Sequence, residues 1–311
     1  MKISLTIFTF ILIITSCQKN KLAIEILKSK IVLNLPSASG IVSLEDDFYL
    51  IGDDSPYLFH TNINDEIISK LQIYSSQNLK NGRINKKDKP DFESLELINQ
   101  NELVAFGSGS KSPERNIFLR ILLKDTVTFQ KYNISSFYDN LKKLKILENE
   151  DLNIEAVAFQ KDQIYLFNRG KNIIFTFNYK DLIAYLNGLI PFPKMLTTLF
   201  YLPKIDGIEA GFSGATILKD KSMIIFTSSV ENTNNAYDDG EILGSFIGTI
   251  EISDNKISNS YKSVIIPNIK KPLKVESVTI VNKLTSSKYE VALVTDDDKG
   301  SSMKIDCLIK W

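Results

Sequence analysis

Histidine is almost absent from this chain: His60 is the one example among 311 residues. A histidine pair for metal or proton relay is therefore excluded. A serine–histidine–carboxylate relay would have to run through His60. Cysteine is nearly as scarce, with Cys17 and Cys307 alone. That removes paired-cysteine zinc motifs. Neither sign of charge is in excess, since 37 lysines and arginines face 37 aspartates and glutamates. Such a balance gives no electrostatic reason to bind nucleic acid and no polybasic patch for anionic lipid. A Walker-type phosphate loop is missing, and so is a G-x-S-x-G nucleophile elbow. "GSGS" from Gly107 lacks that spacing, and "GFSG" from Gly211 reads as the start of a strand.

The first residues read as a leader. Met1 and Lys2 precede an apolar run from Ile3 to Ile14, with Thr15, Ser16 and Cys17 after it. The run is short of the about 20 apolar residues a bilayer span takes. A positive start, an apolar stretch and small residues before a cut make a secretory signal. "ITSC" resembles a bacterial lipobox, in which the cysteine is lipidated and becomes the new N-terminus. The alternative is a plain signal peptide with an incidental cysteine. On the lipobox reading residues 1–16 are the signal, 17–29 a lipid anchor and tether, and 30–311 one domain. Cys307 then has no partner, and the exported protein holds itself together without a disulfide. Gln18 follows the cysteine where aspartate would signal retention, so the expected address is the outer membrane of a two-membrane bacterium. Lys19, Asn20 and Lys21 lack the acidic character of surface-export tags, so the fold is expected to face the periplasm.

A short phrase recurs five times: "SASGIVSL", "DFESLELI", "LNIEAVAF", "GFSGATIL" and "KVESVTIV". Aligned on its second beat, it gives Ser39, Glu93, Glu155, Ser213 and Glu276, at intervals of 54, 62, 58 and 63 residues. An apolar residue precedes the beat each time (Ala38, Phe92, Ile154, Phe212, Val275), and a small one follows (Gly40, Ser94, Ala156, Gly214, Ser277). Periods of this length belong to repeat architectures, with kelch-like propellers near 50. Between phrases lie short runs rich in β-branched and aromatic residues, bounded by Asn, Asp, Gly and Ser. Four such runs per repeat is the propeller count. The fifth repeat has only three, and "KIVLNLP" from Lys30 supplies the fourth, as in propellers that close by pairing their two ends. The expected fold is all-β: a five-bladed propeller of four-stranded blades, closed by an N-terminal strand. Six blades remain the alternative if 137–151 or 179–202 hide strands behind their helical pattern. A non-closed pair of sheets is a third option.

In a propeller the first strand of each blade lines the axis, and its start shares one face with the loop after the second strand. The second-beat residues Ser39, Glu93, Glu155, Ser213 and Glu276 should therefore ring a channel mouth. The loops there bring Asp53, Asp54, Ser108, Arg169, Glu231, Asp296 and Asp297, with Arg115 and Lys171 as further counter-charges. Glutamates so placed are costly to bury without partners. Three readings follow. Glu93, Glu155 and Glu276 could hold Ca²⁺ or Mg²⁺ through oxygen ligands. The mouth could bind a small molecule, with Arg169 pairing an anionic group. Or the glutamates could accept hydrogen bonds from neighbouring blades and fix closure. His60, on a third strand, should lie away from this mouth.

These phrases resemble those of a family of bacterial propeller proteins, mostly uncharacterised and often lipoproteins. The resemblance rests on "DFESLEL", "LNIEAVAF", "GSGS", "GFSGATIL" and "AYDDGEILGSFIG", and spans nearly the whole mature chain. More distantly the chain is similar to phytase-like esterase propellers and the SdiA-regulated type, although Ser94, Ala156 and Ser277 stand where those carry glycine. The resemblance implies an envelope-anchored, monomeric propeller that binds a small ligand, an ion or an envelope protein at an acidic mouth. Its alternative is a divalent-metal-assisted phosphoesterase or esterase.

Overall fold

A computed structural model describes residues 21–76, 79–148, 150–233, 240–297 and 299–311. It contains five four-stranded antiparallel sheets. Their innermost strands are Ala38–Leu44, Phe92–Asn99, Ile154–Gln160, Gly211–Leu218 and Val275–Thr285. Each abuts the next, and the fifth returns to the first, which makes a closed five-bladed propeller. Five apolar clusters fill the five gaps between blades. The gap between the second and third blades is the richest in aromatics, with Phe106, Phe118, Phe137, Phe175 and Phe177 fully buried. Each such side chain contributes about 1.5–3 kcal/mol through burial.

The segments that left room for a sixth blade are helical insertions. Ser135–Lys142 buries Phe137, Tyr138 and Leu141 against that same gap. Tyr179–Leu186 is capped by Asn178, whose side chain accepts from the Lys180 and Asp181 N–H groups. It leads to Met195–Leu199, the fourth strand of blade three.

Closure is as expected in kind but shifted in sequence. The strand that completes blade five is Ala23–Val32, paired from Ala23 opposite Lys310 to Val32 opposite Ser302. Residues 23–29, expected to belong to the tether, are therefore part of the sheet, and 33–36 turn towards blade one. The physical reason is that this is an outermost strand. Most of its residues are exposed, so "EILKSK" shows little of the apolar patterning that marks an inner strand. The seam is also latched at the axis: the Ile41 and Ser43 N–H groups donate to Ser277 Oγ at 3.3 Å and Thr279 Oγ1 at 3.0 Å.

The repeated phrase encodes one local device. In all five inner strands the ladder skips a residue, between Ala38 and Gly40, Phe92 and Ser94, Ile154 and Ala156, Phe212 and Gly214, and Val275 and Ser277. The residue skipped is the second beat every time. A β-bulge leaves its extra residue unpaired and re-aims that side chain. The small third beat serves close approach of inner strands. A Cβ on Gly40 would come within 2.8 Å of Leu95 Cβ in the next blade, and one on Gly214 within 2.6 Å of Ser277 Cα. His60 lies away from the mouth, stacked on Tyr49 at 4.6 Å and sharing a 2.7 Å hydrogen bond with Asp47. Cys307 is buried and unbridged, its thiol pushed up to about 12 by burial. Cys17 falls outside the described residues. Among those described, no helix is long and apolar enough to cross a membrane.

Candidate functional site

The bulged residues divide by type. Ser39 Oγ donates to the Phe92 carbonyl, and Ser213 Oγ donates to the Val275 carbonyl at 2.6 Å. In both cases the acceptor is the first beat of the following blade, so the serines tie adjacent inner strands together. The glutamates are too long and too charged for that. Glu93, Glu155 and Glu276 instead line a cavity of about 470 Å³ at this mouth, where side chains hold Glu155 and Glu276.

Those side chains form two groups. Across blades one and two, Asp53, Asp91 and Glu93 bring carboxylate oxygens within 4.8 Å of one another. The Lys89 ammonium reaches Asp53 and lies 2.7 Å from Asp91 Oδ1. Arg115 donates to Asp91 Oδ2 at 2.5 Å, as does Ser108 Oγ. Across blades three to five, Arg169 Nη2 donates to Glu231 Oε1 at 2.6 Å and Nη1 lies 3.6 Å from Glu155 Oε2. Lys274 Nζ lies 3.2 Å from Glu276 and 3.4 Å from Glu231. Asn153 Nδ2 donates to Glu155 Oε1 at 2.6 Å. Lys86 lines the same cavity, so among the described residues its wall sets ten carboxyls against five cations.

Burial decides where the surplus charge goes. Glu155 is 8% exposed and Glu276 5% exposed. Burial raises Glu155 to about 7, with Arg169 opposing and Glu276 adding to the rise. Burial also raises Glu276, against Lys274 and Arg169. Glu93 is pushed well above the carboxylate range by burial and then by Asp91, Glu155 and Asp53. Burial acts on Asp91 and Glu231 too, but there the cations win. Lys89 and Arg115 hold Asp91 low, and Arg169 and Lys274 hold Glu231 low. Carboxyls held low and carboxyls pushed up therefore share one floor. Chemically, such a floor can bind a cation, or exchange a proton near neutral pH.

The sequence-derived residues are distributed as follows. Ser39, Asp53, Glu93, Glu155, Arg169, Glu231, Glu276 and Asp296 all line the cavity. Ser213 and Ser108 are buried behind it, as inter-blade tie and Asp91 support. Asp54 turns away and accepts from Arg83 Nε at 2.5 Å. Asp297 turns back into its own loop, where its Oδ1 accepts from the Lys299 and Ser301 N–H groups at 2.9 and 2.8 Å. Lys171 pairs with exposed Glu148 at 2.7 Å instead of serving the floor. Glu93, Glu155 and Glu276 do not converge as a ligand trio; the carboxylates that do are Asp53, Asp91 and Glu93.

Lys89, Asp91, Asn153 and Lys274 also line this floor and were not singled out by sequence reasoning. A signal for three of them existed. Two residues before the second beat stand Ser37, Asp91, Asn153, Gly211 and Lys274, and all five line the cavity. Extending the phrase alignment by one strand period would have found them. Gly211 contributes by its missing side chain: a Cβ there would lie 2.4 Å from Arg169 Cγ, so the arginine stem occupies that space.

No curated protein matches the chain in sequence. Among solved structures, the glutaminyl cyclase of Myxococcus xanthus is similar over 94% of this chain and 98% of its own, with a TM-score of 0.52 and 5% identity. A plant albumin from Cicer arietinum is similar over 75% of this chain and 92% of its own, at TM-score 0.38 and 14% identity. A tail fiber of Staphylococcus aureus phage P68 covers 91% of this chain and 53% of its own, at TM-score 0.42 and 12% identity. At these identities the likeness is one of fold, and only the first is close enough to support even that. Residues 34–309 match a family model described as "Family of unknown function (DUF6929)", and the chain belongs to that family.

Proposed function

We propose that the mouth binds a small ligand through a protonated amine, and that Glu155 gives up its proton as the ligand enters. One observation carries this reading: among the described residues, ten carboxyl side chains line this cavity against five lysines and arginines. A second agrees with it. Asp53 Oδ1 is buried at this mouth and accepts no hydrogen bond. An incoming ammonium supplies both the missing charge and the missing donors. Because burial pushes Glu155 up to about 7, affinity for an amine rises as pH goes from 6 to 8. Cys17 lipidation would keep this site at the bacterial envelope.

The test uses 1,4-diaminobutane, with acetate as the anionic control, followed by thermal melting of the purified protein. The diamine should raise the melting temperature, more at pH 8 than at pH 6, and acetate should not. Stabilisation should approach about 2.7 kcal/mol at a hundredfold excess over the dissociation constant. Equal response to acetate would refute the charge argument. L-Glutaminamide belongs in the same screen, with released ammonia as readout, because the fold is shared with a glutaminyl cyclase.

A divalent ion is the second reading, favoured by the convergence of Asp53, Asp91 and Glu93. It would make the phytase-like, metal-assisted esterase chemistry available. The Lys89 ammonium already reaches two of those three carboxylates, and an ion would have to displace it. Chelator followed by millimolar Ca²⁺ or Mg²⁺ in the same melts separates the readings.

A further inference from the structure

The opposite end of the inner strands carries a second buried carboxyl that the mouth does not use. Glu96 stands three residues after the second beat of blade two. Its counterparts in the other blades are Val42, Ala158, Thr216 and Thr279. Thr279 shows what this position does for the fold: it accepts the Ser43 N–H of the next blade. A hydroxyl is sufficient there, and in two blades an alkyl group is. Glu96 is 7% exposed, and its Oε1 accepts the Leu97 N–H at 2.8 Å. Its Oε2 is buried and makes no hydrogen bond.

Glu96 lines a cavity of about 370 Å³. The walls are mostly apolar, including Val42, Leu97, Phe159 and Ile217. Lys219 and the Lys283–Asp220 pair, joined at 2.6 Å, stand at the same cavity, together with Tyr289, whose hydroxyl also donates to Asp220. The cavity is roomy enough for a small organic molecule.

We infer that this far end is a second binding site, for a small apolar molecule bearing a carbonyl or carboxylate head that accepts a hydrogen bond from Glu96 Oε2. The direction of the bond follows from the neighbours. Oε1 already accepts from backbone, so a proton on the carboxyl resides on Oε2. Burial raises Glu96 to about 8, with the Leu97 N–H, Lys219 and the Phe159 N–H opposing, so that proton is present at neutral pH. With Lys283 paired to Asp220, Lys219 leaves the cavity one positive charge, which disfavours a cationic head and favours an anionic or neutral one. An unpaired buried carboxyl is a cost to folding that threonine would avoid. Its presence at one of five equivalent positions is explained by a ligand that completes it.

The experiment titrates the full chain with 4-phenylbutyrate, 4-phenylbutanamide and 4-phenylbutylamine, by calorimetry and by ligand-observed NMR, at pH 7 and pH 9. The acid and the amide should bind and the amine should not, and binding of both should weaken at least fivefold at pH 9. Glu96→Thr should lose binding at least tenfold while melting no lower than the parent. Glu96→Gln, which keeps a donor, should retain binding and lose the pH dependence. The inference is overturned if none of the three binds in the millimolar range, if the amine binds as well as the acid, or if Glu96→Thr binds like the parent. Should Glu96→Thr fail to fold, the pH dependence of parent against Glu96→Gln decides alone, and a shared dependence refutes it.

Discussion

Arg169→Met isolates the charge balance on which the mouth depends. The arginine lies half-buried over Gly211, bonded to Glu231 and adjacent to Glu155. Methionine fills much of its volume and removes the charge. If the carboxylates stayed ionised, breaking a buried pair would cost about 3–5 kcal/mol. Glu231 has a second route, which is to take a proton, and with Lys274 still 3.4 Å away that route sets an upper bound on the loss. Its ordinary value is 4.5. Holding it neutral at pH 7 then costs about 2.5 units at 1.36 kcal/mol each, roughly 3.4 kcal/mol. At pH 5 the same cost is about 0.7 kcal/mol. The variant should therefore lose up to roughly 7–14 °C of melting temperature at pH 7, by the scaling for domains of about 150–250 residues. At pH 5 it should lose only a few degrees. Glu231→Gln added to Arg169→Met should recover most of the loss at pH 7. The measurement is calorimetric melting of all three proteins between pH 5 and 8. A loss of equal size at both ends of that range would show that Arg169 acts by packing and would refute the electrostatic account.

Glu155→Gln should flatten the dependence of stability on pH. The folded value is raised to about 7 from 4.5, so the folded state binds the proton more tightly than the unfolded one. Stability from this group is full below about 4.5 and falls as pH rises through 7; the variant should lose that decline, as urea titrations at pH 5 and pH 8 can show. Deleting residues 23–32 bares the edge of the strand Ser302–Lys310, and should abolish the single cooperative transition, checked by denaturant unfolding. Cys17→Ala should release the protein from membranes into the soluble fraction, because two acyl chains are what make such anchoring stable. A variant that still fractionates with membrane would count against the lipid.

The ring of blades was legible because it repeats. Five copies of apolar, beat and small residue at near-regular spacing set the blade count, and the same alignment put Glu93, Glu155 and Glu276 at one mouth. The bulge itself was invisible, since no residue type demands it; only the pairing registers reveal that the second beat is the one skipped. Loop carboxylates were the weakest part of the reading. Asp53 and Asp54 are neighbours in sequence, yet one faces the cavity and the other binds Arg83. Adjacent residues in a turn point apart, and sequence does not say which way. Lys89 was missed because it precedes Pro90 in a run, "NKKDKP", that reads as a solvated loop. The closing strand was placed late because an outer strand shows little apolar patterning.

The most direct measurement is isothermal titration of 1,4-diaminobutane into the parent protein at pH 7, in two buffers of different ionisation enthalpy. The account predicts binding accompanied by net proton release, with the release abolished in Glu155→Gln. Absence of binding, or binding with no proton exchanged in either protein, would contradict it.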